Sequence, residues 1–131
     1  MEAVSYTKYI RISPKKIRFL GNALKGLSPI EARDRLVLRS EKAAHILSDA
    51  IKTAQYNATN NLKLSSANLK IKTIEIGKGP FLKRWRAVSR GIAHQIKKRT
   101  SHIKVTLEET QKKEPLKEIR PGREGGMKGD K

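Results

Sequence analysis

Between Glu75 and Glu108 the chain carries no acidic residue, and that stretch limits the possible folds more than any other. From Ile76 it runs Gly77-Lys78-Gly79-Pro80-Phe81-Leu82-Lys83-Arg84-Trp85-Arg86-Ala87-Val88-Ser89-Arg90-Gly91-Ile92-Ala93-His94-Gln95-Ile96-Lys97-Lys98-Arg99-Thr100-Ser101-His102. Such a segment cannot neutralise its own charge, and its spread of cations suits an extended polyanion better than one small ligand. It is too long for a tight turn. Two shapes remain: a mobile basic loop, or a hairpin that extends its flanking strands beyond the body. Phe81, Leu82, Trp85, Val88, Ile92 and Ile96 favour the hairpin, because a solvated loop does not need them and exposed Phe81, Trp85 and Ile96 would invite aggregation. Ser89-Arg90-Gly91 offers the turn, with Gly91 able to take positive φ. Arms of about 10 residues at ~3.3 Å per residue would reach roughly 30 Å. A lone two-stranded ribbon is marginal in water, and repulsion among its cations weakens it further, so a bound anion should order it.

The flanks read as a small mixed body. Ala3 to Ile12 alternates, with Val4, Tyr6, Ile10 and Ile12 in one phase and Lys8 near an edge or snorkelling. Ser13-Pro14 starts a helix with Ile17, Leu20 and Leu24 on one face, stopped by Gly26. Ser28-Pro29-Ile30-Glu31 starts a second, short helix with a capping box, reaching about Arg39. Ser40 caps a third and longest helix, whose stripe is Ala43, Leu47, Ala50, Ile51, Ala54 and Ala58. Its alanines predict a close-packed neighbour, and Leu62 and Leu64 should tuck the next loop onto the core. Leu69 to Ile76 is a strand whose phase breaks, which predicts either two covered faces or a bulge near Lys72. Thr100 to Glu108 is a cleaner strand, with Ile103, Val105 and Leu107 inward and His102, Lys104, Thr106 and Glu108 outward. From Gln111 the composition turns to Pro, Gly and mixed charge, which predicts a disordered tail.

The whole chain has 131 residues, enough for one domain, and a formal charge of +18. A nucleic acid is the first explanation of that charge, ahead of a membrane, since no apolar run approaches the roughly 20 residues of a span. Neither a secretory signal nor a transit segment is expected, and the lack of Cys fits a cytosolic chain. Aromatic residues are only 5%, so a stacking platform for bases is not expected, and contacts should go to phosphates, sugars and groove shape.

Catalysis has little support. Glu31, Asp34, Glu41 and Asp49 sit among bases on helices and read as caps or ion pairs. Gly77-Lys78-Gly79-Pro80 lacks the spacing of a phosphate-cradling loop. His45, His94 and His102 do not have metal-ligand spacing, so neither a metal nor a cofactor is expected. Lys15, Lys16 and Arg18 occupy a first helical turn, where the macrodipole disfavours cations; a phosphate and an ordinary solvated face explain them equally well. Trp85 can stack on a base or pack across the ribbon on Ile92 or Ile96, and cross-strand packing is the commoner use.

Gly79-Pro80, Leu82-Lys83-Arg84, Arg90-Gly91 and Ile96-Lys97-Lys98-Arg99-Thr100-Ser101-His102-Ile103-Lys104-Val105 resemble the large-ribosomal-subunit protein number 22 family. Ser13-Pro14-Lys15-Lys16-Ile17-Arg18, Glu31-Ala32, Lys42-Ala43-Ala44 and Ala54-Gln55-Tyr56-Asn57-Ala58 extend the resemblance, in order, from about Tyr6 to Glu108. It implies an α+β fold: three helices on a small three-stranded antiparallel sheet, a long projecting β-hairpin at about 78–100, and a disordered C-terminal tail. The domain would span 1–109 and the tail 110–131. It implies a cytoplasmic, non-enzymatic constituent of the large ribosomal subunit that binds 23S rRNA and supports its assembly. The hairpin would line the nascent-polypeptide tunnel beside large-subunit protein number 4, touching the passing chain, with no membrane contact and no homo-oligomer. Implied rRNA contacts are Lys15, Lys16, Arg18, Lys78, Lys83, Arg84, Arg86, Arg90, His94, Lys97, Lys98, Arg99, Ser101 and His102. The implied tunnel tip is Trp85, Ala87, Val88, Ser89, Arg90, Gly91 and Ile92.

The tip departs from the family's pattern, which usually reads Pro-Arg-Ala-(Arg/Lys)-Gly-Arg. Here Arg86-Ala87 lacks the proline, and Val88 and Ile92 stand at basic positions, so no phosphate contact carries over to those two. A different class of function, a DNA-architectural protein with a basic β-arm, needs a dimer interface and an apolar wedge at the tip. Val88 is the one candidate wedge between Ala87 and Gly91.

Overall fold

The computed structural model describes residues 1–110, and the tail expected to be disordered falls on residues 111–131, outside the described residues. The order is β1 (Glu2–Ile10), α1 (Pro14–Asn22), α2 (Pro29–Val37), α3 (Lys42–Tyr56), β2 (Leu69–Lys78), β3 (Leu82–Ala87), β4 (Ala93–Lys98) and β5 (Ser101–Glu109). β1, β5 and β2 form an antiparallel sheet in the order β1-β5-β2, and β3 pairs with β4 in a separate two-stranded ladder. The expected α+β class and projecting hairpin are both present.

The helices cover one face of the sheet. α3 crosses β1 and β5, α1 lies on β2, and α2 packs on α3. The predicted stripe of α3 is buried throughout: Ala43, Leu47, Ala50, Ile51, Ala54 and Ala58, with Ala44 beside it. Its small side chains let the helix approach the sheet, where Ile71, Ile103, Val105 and Leu107 close the core with Ile17. Fully burying a side chain of the Leu or Ile class stabilises by about 1.5–3 kcal/mol, so this layer dominates the favourable side of folding. α3 runs into a π-helical turn, Asn57–Asn61, and Asn57 Nδ2 donates to the Val4 carbonyl at 3.0 Å, fastening that turn to β1. Leu64 is buried in the core as expected, while Leu62 stays exposed.

The helix starts divide into two kinds. α2 has its full capping box: Glu31 N–H donates to Ser28 Oγ at 3.3 Å and Ser28 N–H to the Glu31 carboxylate at 3.4 Å. α1 begins after Ser13 with Pro14 at its first position but no side-chain cap bond. The N-cap of α3 is Glu41, one residue later than expected from Ser40, again without a cap bond. Gly26 adopts φ +79, and its N–H donates to the Ile71 carbonyl at 2.9 Å, tying the end of the first helical segment to β2.

Two strand phases come out as β-bulges. β2 shifts register between Ile71 and Thr73, the expected break near Lys72, so Leu69, Ile71 and Ile74 all reach the core. β1 differs from expectation. Ala3 and Ser5 face inward while Val4 and Tyr6 are exposed, and a register shift between Thr7 and Ile10 returns Ile10 and Ile12 to the core. Tyr9 at φ 57 lies within that shift, and the alternation across it looked like a single phase. Thr106 is buried despite its outward phase, because β5 is the central strand and its neighbours shield it.

Candidate nucleic-acid interface

The acid-free segment is a hairpin with shorter arms than expected. Leu82–Ala87 and Ala93–Lys98 are paired, six residues each, around a turn at Val88–Ile92. Val88 N–H donates to the Ile92 carbonyl at 2.9 Å, and Arg90 and Gly91 take φ 59 and 68. At the root, Gly79 N–H donates to the Thr100 carbonyl at 3.0 Å, and the Thr100 hydroxyl donates to the Pro80 carbonyl. A Cβ on Gly79 would overlap the Thr100 hydroxyl oxygen, so a side chain there would force Thr100 to shift.

The register splits the hairpin into two faces. Lys83, Trp85, Ala87, Ala93, Gln95 and Lys97 share one; Leu82, Arg84, Arg86, His94, Ile96 and Lys98 share the other. Trp85 pairs with Gln95 and is 69% exposed, so the cross-strand packing expected on Ile96 does not occur; Ile96 stands on the opposite face, across from Arg84. The apolar residues therefore form no common seam. Lys83 stands directly opposite Lys97. Like charges so placed are destabilising without a counter-anion.

Cations also gather where the hairpin meets the body. An open groove of about 1210 Å³ is lined by Arg11, Ser13, Lys15, Lys16, Phe19, Glu41, Lys42, Leu82, Lys97, Lys98, Arg99 and Thr100, among others. It brings together five predicted residues, Lys15, Lys16, Lys97, Lys98 and Arg99. It adds Arg11 and Lys42, which have no signal in the local sequence. Glu41 is its one acid. The uncapped starts of α1 and α3 both open onto this groove, since Ser13 and Glu41 line it. Pro14 supplies no N–H, and the Lys16 and Ala44 N–H groups bond back to the Ser13 and Glu41 carbonyls, so each start presents chiefly its positive dipole end. The cations in the first turns of those helices are unfavourable in the free protein and become favourable once phosphates sit between them.

The other predicted residues divide. Lys78, Lys83, Arg84, Arg86, Arg90 and His94 are exposed along the arm and its root, as is the whole predicted tip. Arg18 is partly committed, its Nη2 donating to the Ile76 carbonyl at 2.9 Å, where it clamps α1 to β2. Ser101 is a correction: it is 0% exposed, so it packs the interior of the sheet and reaches no external ligand. The imidazole of His102 is half-buried and accepts from Tyr9 N–H at Nδ1, 3.0 Å. Lys97 lies over the Phe81 ring at 4.8 Å, anchoring the start of the arm.

The outer face of the sheet is different in kind. Lys72 pairs with Glu2 and Glu108, and Lys104 with Glu75 at 3.4 Å. The Lys72 ammonium, hydrogen-bonded to Glu2, holds that carboxyl below its ordinary range, and the carboxylate raises Lys72 in turn. These acids balance the cations of that face, in contrast to the groove and the arm. Among the described residues, no three His, Cys, Asp or Glu side chains gather as metal ligands.

Residues 5–108 match the family described as ribosomal protein L22p/L17e. The large ribosomal subunit protein uL22 of Fusobacterium nucleatum is 38% identical over 111 residues, covering 85% of this chain and 100% of the relative. The proteins of the same name from Akkermansia muciniphila and Syntrophus aciditrophicus are 41% and 40% identical, covering 82% and 83% of this chain and 96% and 99% of theirs. The chain belongs to the ribosomal protein L22p/L17e family.

Proposed function

We propose that the groove and the arm are how this chain performs the work of its family. It is a structural, non-catalytic constituent of the large subunit of the cytoplasmic ribosome. It binds rRNA, supports assembly of the subunit, and lines the nascent-polypeptide tunnel with its hairpin. The observation that carries the reading is the groove at the hairpin root, where cations from β1's end, two helix starts and β4 converge around a single acid. Phosphates of a folded RNA would fill it and release counterions, giving strongly salt-dependent binding. The RNA would be 23S rRNA, recognised chiefly by shape and backbone. In this reading Lys78, Lys83, Arg84, Arg86, Arg90 and His94 follow RNA along the arm. Residues 87–92 reach the tunnel wall beside large-subunit protein number 4, where the nascent polypeptide passes. Arg18, already bonded to Ile76, would offer only its remaining donors.

A competition experiment tests this. The protein, bound to protein-free large-subunit rRNA, is challenged with excess duplex DNA and with excess of the same rRNA. The proposal expects displacement by rRNA and little by DNA. Preference for duplex DNA would reinstate a DNA-architectural role.

A further inference from the structure

We propose that Tyr6, Tyr9 and His102 form a stacking site for an unpaired nucleobase of RNA, beside the hairpin root and apart from the cationic groove. The proposal rests on the rRNA-binding reading and adds a second mode of contact to it. In a chain with 5% aromatic residues, Tyr6 and Tyr9 of the edge strand β1 gather beside His102 of the central strand β5. Tyr9 meets His102 edge-on, with centroids 5.0 Å apart, and Tyr6 stacks loosely on His102 at 6.4 Å. Tyr6 and Tyr9 are nevertheless 53% and 64% exposed, so the cluster keeps open ring surface rather than burying it.

The backbone holds this surface in place. Tyr9 sits at φ 57 in the β1 bulge, a conformation rarely taken by a bulky residue and a mark of local strain. Its N–H is fixed by His102 Nδ1. That bond makes Nδ1 the acceptor, so the neutral imidazole carries its proton on Nε2. On the β2 side the ring is braced by glycine backbone: Gly77 pairs with His102, and Gly79 lies so close that a Cβ there would come within 3.3 Å of Cε1 and Nε2. Two tyrosine rings with open surface, held around this imidazole, suit a base that needs a π-face.

Charge selects the ligand. Lys8 Nζ lies 5.2 Å from the Tyr6 centroid and can reach the phosphate of a stacked nucleotide. Further along the same face, Glu75, Glu2 and Glu108 neutralise Lys104 and Lys72, so a continuous phosphate track is disfavoured there. A single flipped-out base, held by stacking, fits this edge better than a duplex backbone does.

Two double variants test the site: Tyr6→Ala with Tyr9→Ala, and Tyr6→Phe with Tyr9→Phe. Both tyrosines are exposed, so the core is untouched, and circular dichroism verifies each fold. Affinity for protein-free large-subunit rRNA is measured across a salt series. The Ala pair should bind about tenfold more weakly, about 1.4 kcal/mol, with an unchanged salt slope, and the Phe pair should bind like the parent. Parental affinity in the Ala pair would overturn the stacking site alone. So would a flattened salt slope, or an equal loss in the Phe pair. Failure of the parent protein itself to bind this RNA would overturn the rRNA-binding reading, and the stacking site with it.

Discussion

Removing charge from the groove should weaken RNA binding while strengthening the free fold. Lys15, Lys16 and Lys98 line the groove and are exposed. Each lysine–phosphate pairing removed should flatten the dependence of log K on log salt by about 0.7 for single-stranded and about 0.9 for duplex-like RNA. The triple change to Ala should therefore flatten the slope by about 2–3. Over a rise from about 50 to about 200 mM salt, that removes about 20–40-fold of salt sensitivity. The free protein should respond in the opposite direction. Lys15 and Lys16 lie in the first turn of a helix without an acid there or a side-chain cap, so their removal relieves about 0.3–1 kcal/mol each. Filter binding across a salt series and urea denaturation read the two effects. A control triple, Lys25, Lys52 and Lys70 to Ala, removes equal net charge outside the groove. Equal flattening by both triples would reduce the groove to general charge and refute the reasoning. An unchanged slope in the groove triple would refute it as directly.

Other outcomes follow from particular side chains. Gly79→Ala should destabilise the hairpin root by about 1–3 kcal/mol, because the added Cβ overlaps the Thr100 hydroxyl, and thermal melting reads the loss. Ile51→Ala, in the fully buried face of α3, should cost about 2–5 kcal/mol in urea denaturation. Glu2 should titrate below its ordinary value of 4.5 in an NMR pH series, and Lys72→Ala should move it back up. The sign follows from its lowered folded-state value: the contribution of the pair is present above the unfolded pKa and fades as pH falls through the folded one. Because both groups are at the surface, salt should shrink the shift.

Much of the body was legible because the signals were local. Ser28 and Glu31 specified the α2 cap, the alanine-rich stripe specified the face of α3, and the broken phase of β2 left a bulge or two covered faces, of which the structure has the bulge. The β1 bulge was hidden, because Val4, Tyr6, Ile10 and Ile12 keep an even spacing that a register shift divides between two faces. Trp85 was misplaced for a related reason: which residue it faces depends on the length of the turn at 88–92, and one residue of register moves it to the other side. Ser101 carried a family motif, but its side chain belongs to the inward face of the central strand. Arg11 and Lys42 were missed because only the packing of α1 and α3 beneath the hairpin root brings them to Lys97 and Arg99.

The central claim is that the body holds RNA outside while the hairpin tip reaches the tunnel. The chain has no cysteine, so Ser89→Cys creates a single attachment point at the exposed turn, and Thr53→Cys creates one on the exposed face of α3. Each protein, carrying a tethered hydroxyl-radical source, is assembled into large subunits and the rRNA cleavages are mapped. The tip probe should cut nucleotides lining the tunnel, and the α3 probe should cut only nucleotides near the subunit surface. Cleavage from position 89 confined to the subunit exterior would contradict the account.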